Sequence, residues 1–196
     1  MSKRKYTKTR RAEQEDETRN RIVEALVALH EEVGPAHASI KAIAEKAGVQ
    51  RLTVYRHFPD DVSLFQACTS HYLASYPPPG ITDWADIDNA GERSHQALLA
   101  FYRYYRQTEK MWNKAYRDVD QVEALQGPMN QFEAHIDQVT NDLLKAWNTT
   151  HNTKKQLQIT LRHALRFSTW RSLKNAKLKD EKMAELVGTW LCCIVS

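Results

Sequence analysis

Between Ser39 and Pro59 the chain is punctuated too closely for one long helix. Ser39 precedes Ile40, Ile43, Ala44 and Ala47 at helical spacing; Gly48 follows, then Val54 and Phe58 one turn apart, then Pro59. A serine ahead of an apolar stripe caps a helix by accepting a bond from a free amide. A glycine directly after the stripe supplies the backbone freedom of a tight turn, and a proline cannot continue the helix it follows. The segment predicts a short helix, a turn plugged from inside by Val49, and a second short helix from about Gln50 to Phe58. Ahead of it, Ile22, Leu26, Leu29 and Val33 recur at four, three and four, the stripe of an amphipathic helix that stops at Gly34-Pro35. Behind it, Asp60 and Asp61 suit the positive end of a fourth helix, whose expected inward residues are Val62, Phe65, Cys68 and Tyr72.

The cluster Tyr76-Pro77-Pro78-Pro79-Gly80 marks the expected domain boundary. Beyond it, Leu98, Phe101, Tyr102 and Tyr105 form one helical set. Met111, Trp112, Ala115, Tyr116 and Val119 form the next, and Phe132, Ile136, Val139, Leu143 and Trp147 follow Gly127-Pro128. A final pair carries Leu157, Leu161, Ala164, Leu165 and Ser168, then Met183, Leu186, Val187, Trp190 and Ile194. With six glycines and six prolines in 196 residues and no alternating run, the expected fold is all-α. No apolar run approaches the roughly 20 residues that span a bilayer. Residues 1–11 carry charge without the apolar core of a secretion signal, so the expected location is the cytoplasm, with no membrane partner. Three cysteines, Cys68, Cys192 and Cys193, make neither an even disulfide set nor a CxxC pattern and read as reduced small hydrophobes.

The formal charge of +4 is placed unevenly. Residues 1–57 hold 12 Lys/Arg and 8 Asp/Glu, so +4, which leaves 16 of each, and no net charge, in the rest. A basic segment on a neutral body suits a polyanion, since each neutralised phosphate releases counterions; a solvated charged tail is the alternative for residues 3–11.

The short-helix, turn, short-helix plan is that of a helix-turn-helix, whose second helix enters the major groove. With Val49, Val54 and Phe58 turned inward, Gln50, Arg51, Thr53 and Arg56 lie outward, and Gln and Arg present paired groups that match adenine and guanine edges. Tyr55 and His57 end in single polar groups suited to phosphate oxygens, and the amides opening the first short helix at Ser39 can do the same.

The run from Ser39 to Phe65, above all Ala47-Gly48-Val49 followed by Thr53-Val54-Tyr55-Arg56-His57-Phe58-Pro59, resembles the DNA-binding signature of TetR-family repressors. The close resemblance covers residues 22–73. It implies about nine helices: a three-helix DNA-binding bundle in residues 1–58, a connecting helix and Pro-rich turn in 59–80, and a larger ligand-binding and dimerisation body in 81–196. It also implies base or nearby backbone contacts from Gln50, Arg51 and Thr53, and phosphate contacts from Tyr55 and His57. Two positions depart from the family pattern. Asp61 stands where many members carry a phosphate-gripping lysine, a charge that Lys41 or the basic residues 3–11 would have to supply, and Gln50 replaces a common small hydroxyl residue.

A regulated repressor needs an effector site, and the interior of a helical body is a usual place for one. Phe101, Tyr105, Trp112, Tyr116, Phe132, His135, His163 and Phe167 combine apolar surface with polar tips suited to an aromatic or amphipathic ligand; ordinary core is the alternative for each. No HxxxH or Cys/His pair accompanies the histidines, so neither metal nor cofactor is expected. No GxSxG, HExxH, P-loop or Rossmann glycine pattern supports an enzyme. Leu161, Ala164, Leu165 and Ser168 with Leu186, Val187, Trp190 and Ile194 are the expected homodimer interface; burial within one chain is the competing reading for about half of that stripe. The sequence therefore predicts a homodimeric, ligand-released, operator-binding repressor. The rivals are an unregulated DNA-binding or adaptor protein and an enzyme using the body cavity.

Overall fold

A computed structural model describes residues 3–195, with side chains for residues 10–195. Among the described residues there are nine α-helices and no strand. They are α1 (Lys3–Glu32), α2 (Ile40–Ala47), α3 (Arg51–His57), α4 (Asp61–Ser75), α5 (Ala90–Asp118), α6 (Glu123–Ala146), α7 (His151–Ala164), α8 (Phe167–Asn175) and α9 (Asp180–Val195). The all-α expectation holds. The chain divides into two compact units: Met1–Ser75 with Asn113–Met129, and Tyr76–Trp112 with Asn130–Ser196.

In the first unit the core is built from Ile22, Leu26 and Leu29 of α1, Ile43, Ala44 and Ala47 of α2, Val54 and Phe58 around α3, and Leu64 and Cys68 of α4. Burial of the larger of these, the Ile, Leu, Val and Phe side chains, contributes roughly 1.5–3 kcal/mol each. The stripe on α1 ends one residue sooner than its spacing predicts. Val33 lies beyond the helix and is 41% exposed. On α4, Val62 is exposed and Leu64 takes its place in the core. Both valines sit at a helix end, where spacing continues the apolar face farther than the neighbouring elements reach along it. Helix α1 starts well ahead of Ile22, so the basic residues 3–11 are helical in backbone; the side chains of residues 1–9 lie outside the described residues.

The second unit packs Leu98, Phe101, Tyr102 and Tyr105 of α5 with Ile136, Val139 and Leu143 of α6, Leu157 and Leu161 of α7, Phe167 and Trp170 of α8, and Met183, Val187 and Leu191 of α9, all buried. Polar tips inside this core find partners. Tyr102 Oη donates to the Ala164 carbonyl at 3.1 Å and Tyr105 Oη to that of Leu165 at 2.7 Å. Asp180 accepts from Arg106 Nε and Nη2 at 2.6 and 2.7 Å and from Trp170 Nε1 at 3.2 Å, which anchors the start of α9. Three sequence expectations are corrected here. The sets Leu98–Tyr105 and Met111–Val119 follow one continuous helix, which ends at Asp118 and leaves Val119 just beyond it. Helix α6 begins at Glu123 and runs through Gly127-Pro128, because a proline at its sixth position removes one early ladder bond instead of breaking the helix. Ser168 is not on a continuation of α7: the chain turns at Leu165-Arg166, where Thr169 Oγ1 donates to the His163 carbonyl at 2.5 Å, and α8 starts.

Candidate nucleic-acid interface

Ser39 caps α2 as its position predicts, its Oγ accepting from Ala42 N at 3.2 Å. Gly48 closes the helix at φ 66°, ψ 39°, its amide donating to the carbonyls of Ala44 and Glu45. This is the left-handed region that a glycine enters without steric cost. Gln50 then stands at the N-cap of α3 and Phe58 at its C-cap. Arg19 of α1 lays its guanidinium 4.6 Å from the Phe58 ring centre, and Arg21 donates to the Ala47 carbonyl at 3.5 Å. The short helix is thus gripped by its buried side, Val54 and Phe58, against α1 and α2. Asp60 receives Ser63 N at 2.7 Å, which starts α4 and holds the Asp60 carboxyl below the usual carboxylate range.

The opposite side of α3 is free to meet a ligand. Gln50, Arg51, Tyr55 and Arg56 are all exposed, and Thr53 is half-buried. Neither Arg51 nor Arg56 is paired with a carboxylate among the described residues, so their guanidinium groups are available. Ser39 and Lys41 are exposed nearby on α2, Lys41 lying 3.8 Å from Glu45. A solvent-exposed pair of that kind is worth only about 0.3–0.5 kcal/mol and yields readily to a phosphate. His57 differs from the others: it is half-buried, and its Nε2 is shielded from solvent with no hydrogen-bond partner. A phosphate contact from His57 would have to use Nδ1 or follow a rotation of the ring. Leu52, absent from the sequence-derived set, projects from the same helix at 76% exposure. The signal was there, since position 52 falls about 200° around a helix from Val54.

Residues 22–68 match the model of bacterial regulatory proteins of the tetR family. The matched stretch holds α2, α3 and most of α4, so the similarity to the TetR family lies in the DNA-binding part of the chain. Solved structures share the fold along most of the chain. A TetR-like transcriptional regulator from Rhodococcus sp. RHA1 is 17% identical, with 88% of this chain and 92% of that one covered at a TM-score of 0.61. NalD, the secondary repressor of the MexAB-OprM multidrug efflux pump in Pseudomonas aeruginosa, is 20% identical over 93% and 97%, TM-score 0.59. The multidrug binding protein EbrR, complexed with imidazole, is 17% identical over 92% and 90%, TM-score 0.57. No curated protein matches the sequence. Beyond residues 22–68 the likeness to these structures is one of fold, and among the described residues no helix is long and apolar enough to cross a membrane.

Two further features of the first unit have no local sign in the sequence. Gly34, at φ 96°, ends the α1 turn, and the carboxylate of Asp118 accepts from Ala36 N just beyond it at 3.1 Å. Arg117 Nη2 donates to the Val33 carbonyl at 2.9 Å and, with Nε, to Asp118. That guanidinium, with the Ala36 amide, holds the Asp118 carboxyl below the usual carboxylate range. The sequence carries no local sign of this clamp, because Ala36 and Asp118 are 82 residues apart. The second feature is His30, 3% exposed, with Nδ1 at 3.6 Å from Cys68 Sγ and its ring 5.0 Å from that of Phe65. Burial lowers the imidazole pKa to about 4, against a smaller upward pull from Asp118, and raises the thiol to about 12. Both groups are held neutral, the reverse of an activated thiolate–imidazolium pair.

In the second unit the effector candidates mostly come together. Phe101, Tyr105, Trp112, Phe132 and Phe167 form one ring cluster with centroid separations from 4.2 to 6.3 Å. His135 joins its edge, 6.1 Å from Phe101, and Nε2 donates to the Pro79 carbonyl at 2.9 Å. His163 does not join. It is exposed on α7, because the buried side of that helix is taken by Leu157, Leu161 and Ala164. Tyr116 falls in the first unit, on the part of α5 that belongs with the head. Of the interface candidates, Leu161, Ala164, Leu165 and Val187 are fully buried within the chain. Ser168 is exposed, Leu186 is 38% exposed, and Trp190 and Ile194 are half-buried.

Proposed function

We propose that this protein is a regulator of the TetR type, a homodimeric repressor that binds an operator through residues 1–58 and leaves it when a small aromatic or amphipathic molecule enters the body, within residues 81–196, with residues 59–80 linking the two. The observation that carries the reading is the two-sided α3: Val54 and Phe58 are buried while Gln50, Arg51 and Arg56 stand exposed beside them. Gln and Arg are the side chains that pair bidentately with adenine and guanine in the major groove. Thr53, Tyr55, His57, Ser39 and Lys41 are assigned to nearby backbone and phosphates, which position the head without specifying sequence.

The rings of Phe101, Tyr105, Trp112, Phe132 and Phe167, with His135 at the edge, are buried against one another, so a flat ligand would enter by parting them and stacking between their faces. NalD is described as a repressor and EbrR as a multidrug binder. Leu186, exposed, with Trp190 and Ile194, half-buried, leave α9 with a partly covered apolar stripe, which a second copy would bury across a two-fold axis. Such a dimer would read half-sites spaced by about one helical turn or a modest multiple. The ligand would act by favouring a conformation whose reading heads no longer match that spacing.

Selection of bound sequences from random duplex DNA tests the first half. A near-palindromic site, bound far more tightly than its scrambled version at equal salt, is expected; equal affinity for both would overturn the reading in favour of an unregulated DNA-coating protein. The second half is tested with planar aromatic cations and amphipathic acids screened for binding. Those that bind should weaken operator affinity, and undiminished affinity at saturation of every one of them would remove the ligand-release mechanism.

A further inference from the structure

Among the described residues, Leu52 is the most exposed of the large apolar side chains, at 76%, and it sits in the first turn of the helix that carries the reading residues. Position 52 shares one face of α3 with Tyr55 and Arg56, three and four residues on, and both of these are exposed. Arg51 is exposed beside it, and Val54, on the far side, is fully buried. Leu52 therefore contributes nothing to the core of the head. It is an apolar group flanked by unpaired cations.

That surroundings-plus-position combination narrows what Leu52 can meet. The flanking Arg51 and Arg56 suit a polyanion and disfavour an apolar protein partner, whose arrival would desolvate two unpaired charges. In the major groove the edges of the bases are polar with one exception, the C5 methyl of thymine. Resting on the operator-binding reading, we propose that Leu52 is a specificity-determining residue that packs on the 5-methyl group of one thymine in each operator half-site. It would read a feature that no hydrogen-bonding residue on α3 can read, and it would discriminate thymine from cytosine at that base pair.

The test replaces each thymine of the selected operator in turn by deoxyuracil, which pairs identically and lacks only the methyl. Affinities are measured for the native protein and for Leu52→Ala. Burial of one methyl corresponds to about a fourfold change in affinity per half-site. One deoxyuracil position in each half-site should therefore weaken the native protein about fourfold, while Leu52→Ala, already weaker on the natural site, should lose nothing further there. Because Leu52 is outside the core, Leu52→Ala should unfold at the native temperature, so its altered affinity is not a folding defect. If the native protein tolerates deoxyuracil at every position, or Leu52→Ala is as sensitive as the native protein, the assignment is wrong and operator binding itself stands. If no duplex is selected at all, the operator-binding reading fails and takes this one with it.

Discussion

Acid should loosen the head of this protein through one residue, His30. Its ring is 3% exposed and its Nε2 has no hydrogen-bond partner, so a proton added there would be neither solvated nor shared. Burial lowers its pKa to about 4 from an ordinary 6.5. Above pH 6.5 the imidazole is neutral in both the folded and the unfolded chain and contributes no pH dependence. Between 6.5 and 4 the unfolded chain takes up a proton that the folded chain refuses, so stability falls as pH falls; below 4 both forms are protonated and this loss is complete. At about 1.36 kcal/mol per unit, a shift of about 2.5 units makes the full loss about 3 kcal/mol, with about 2 kcal/mol of it reached by pH 5. Asp118 works in a separate window: its carboxyl is held below the usual range, so its contribution is present above that range and disappears only at more acid pH. Urea unfolding of the native protein and His30→Leu, at equal protein concentration and at pH 7.5, 6 and 5, isolates the term, since the other titrating groups cancel in the difference. The native protein should lose about 2 kcal/mol more than the variant between pH 7.5 and 5. Parallel losses in the two proteins would refute the assignment of a neutral, desolvated imidazole.

Three further outcomes are expected. Gly34→Ala should lower stability by more than about 2 kcal/mol, because φ 96° is costly for any other residue and the new Cβ would stand 2.2 Å from Arg117 Nη2 and 2.5 Å from Asp118 Oδ2; Gly48→Ala, with open space around it, should lose only about 1–2 kcal/mol, and equal thermal shifts in the two variants would count against the clamp. Arg51→Ala should relax preference at one base pair and cost about 1–3 kcal/mol, whereas Tyr55→Phe should weaken all duplexes alike; competition binding on single-base operator variants distinguishes them, and a uniform loss for Arg51→Ala would make it a backbone contact. Trp190→Glu should sediment as a monomer, and an unchanged dimer would place the interface elsewhere.

Much of the head was legible because its signals are local. Ser39, Gly48 and Pro59 fix where α2 and α3 begin and end, and the four-residue step from Val54 to Phe58 fixes which side of α3 is buried. The same arithmetic exposes Leu52, two residues from Val54 and so on the opposite side of the helix. Spacing reports the apolar face of a helix but not where its neighbours stop, hence the exposed Val33 and Val62. Breaks without glycine or proline left no trace, as at Leu165-Arg166, while a proline near a helix start, Pro128, suggested a break that is absent. The Arg117–Asp118 clamp and the His30–Cys68 contact join residues distant along the chain, and no local pattern encodes them.

The clamp also limits how the molecule can be dissected. The carboxylate that satisfies Ala36 N and the guanidinium that satisfies the Val33 carbonyl both arrive from residues 117 and 118, within a segment that belongs with the head although it follows the Pro-rich turn by some forty positions. A peptide ending at Ser75 would keep every reading residue yet leave that loop without its two charged tethers. Excised heads should accordingly melt early and bind poorly, and restoring them calls for supplying residues 113–129 as a second strand of sequence, not for lengthening the tail.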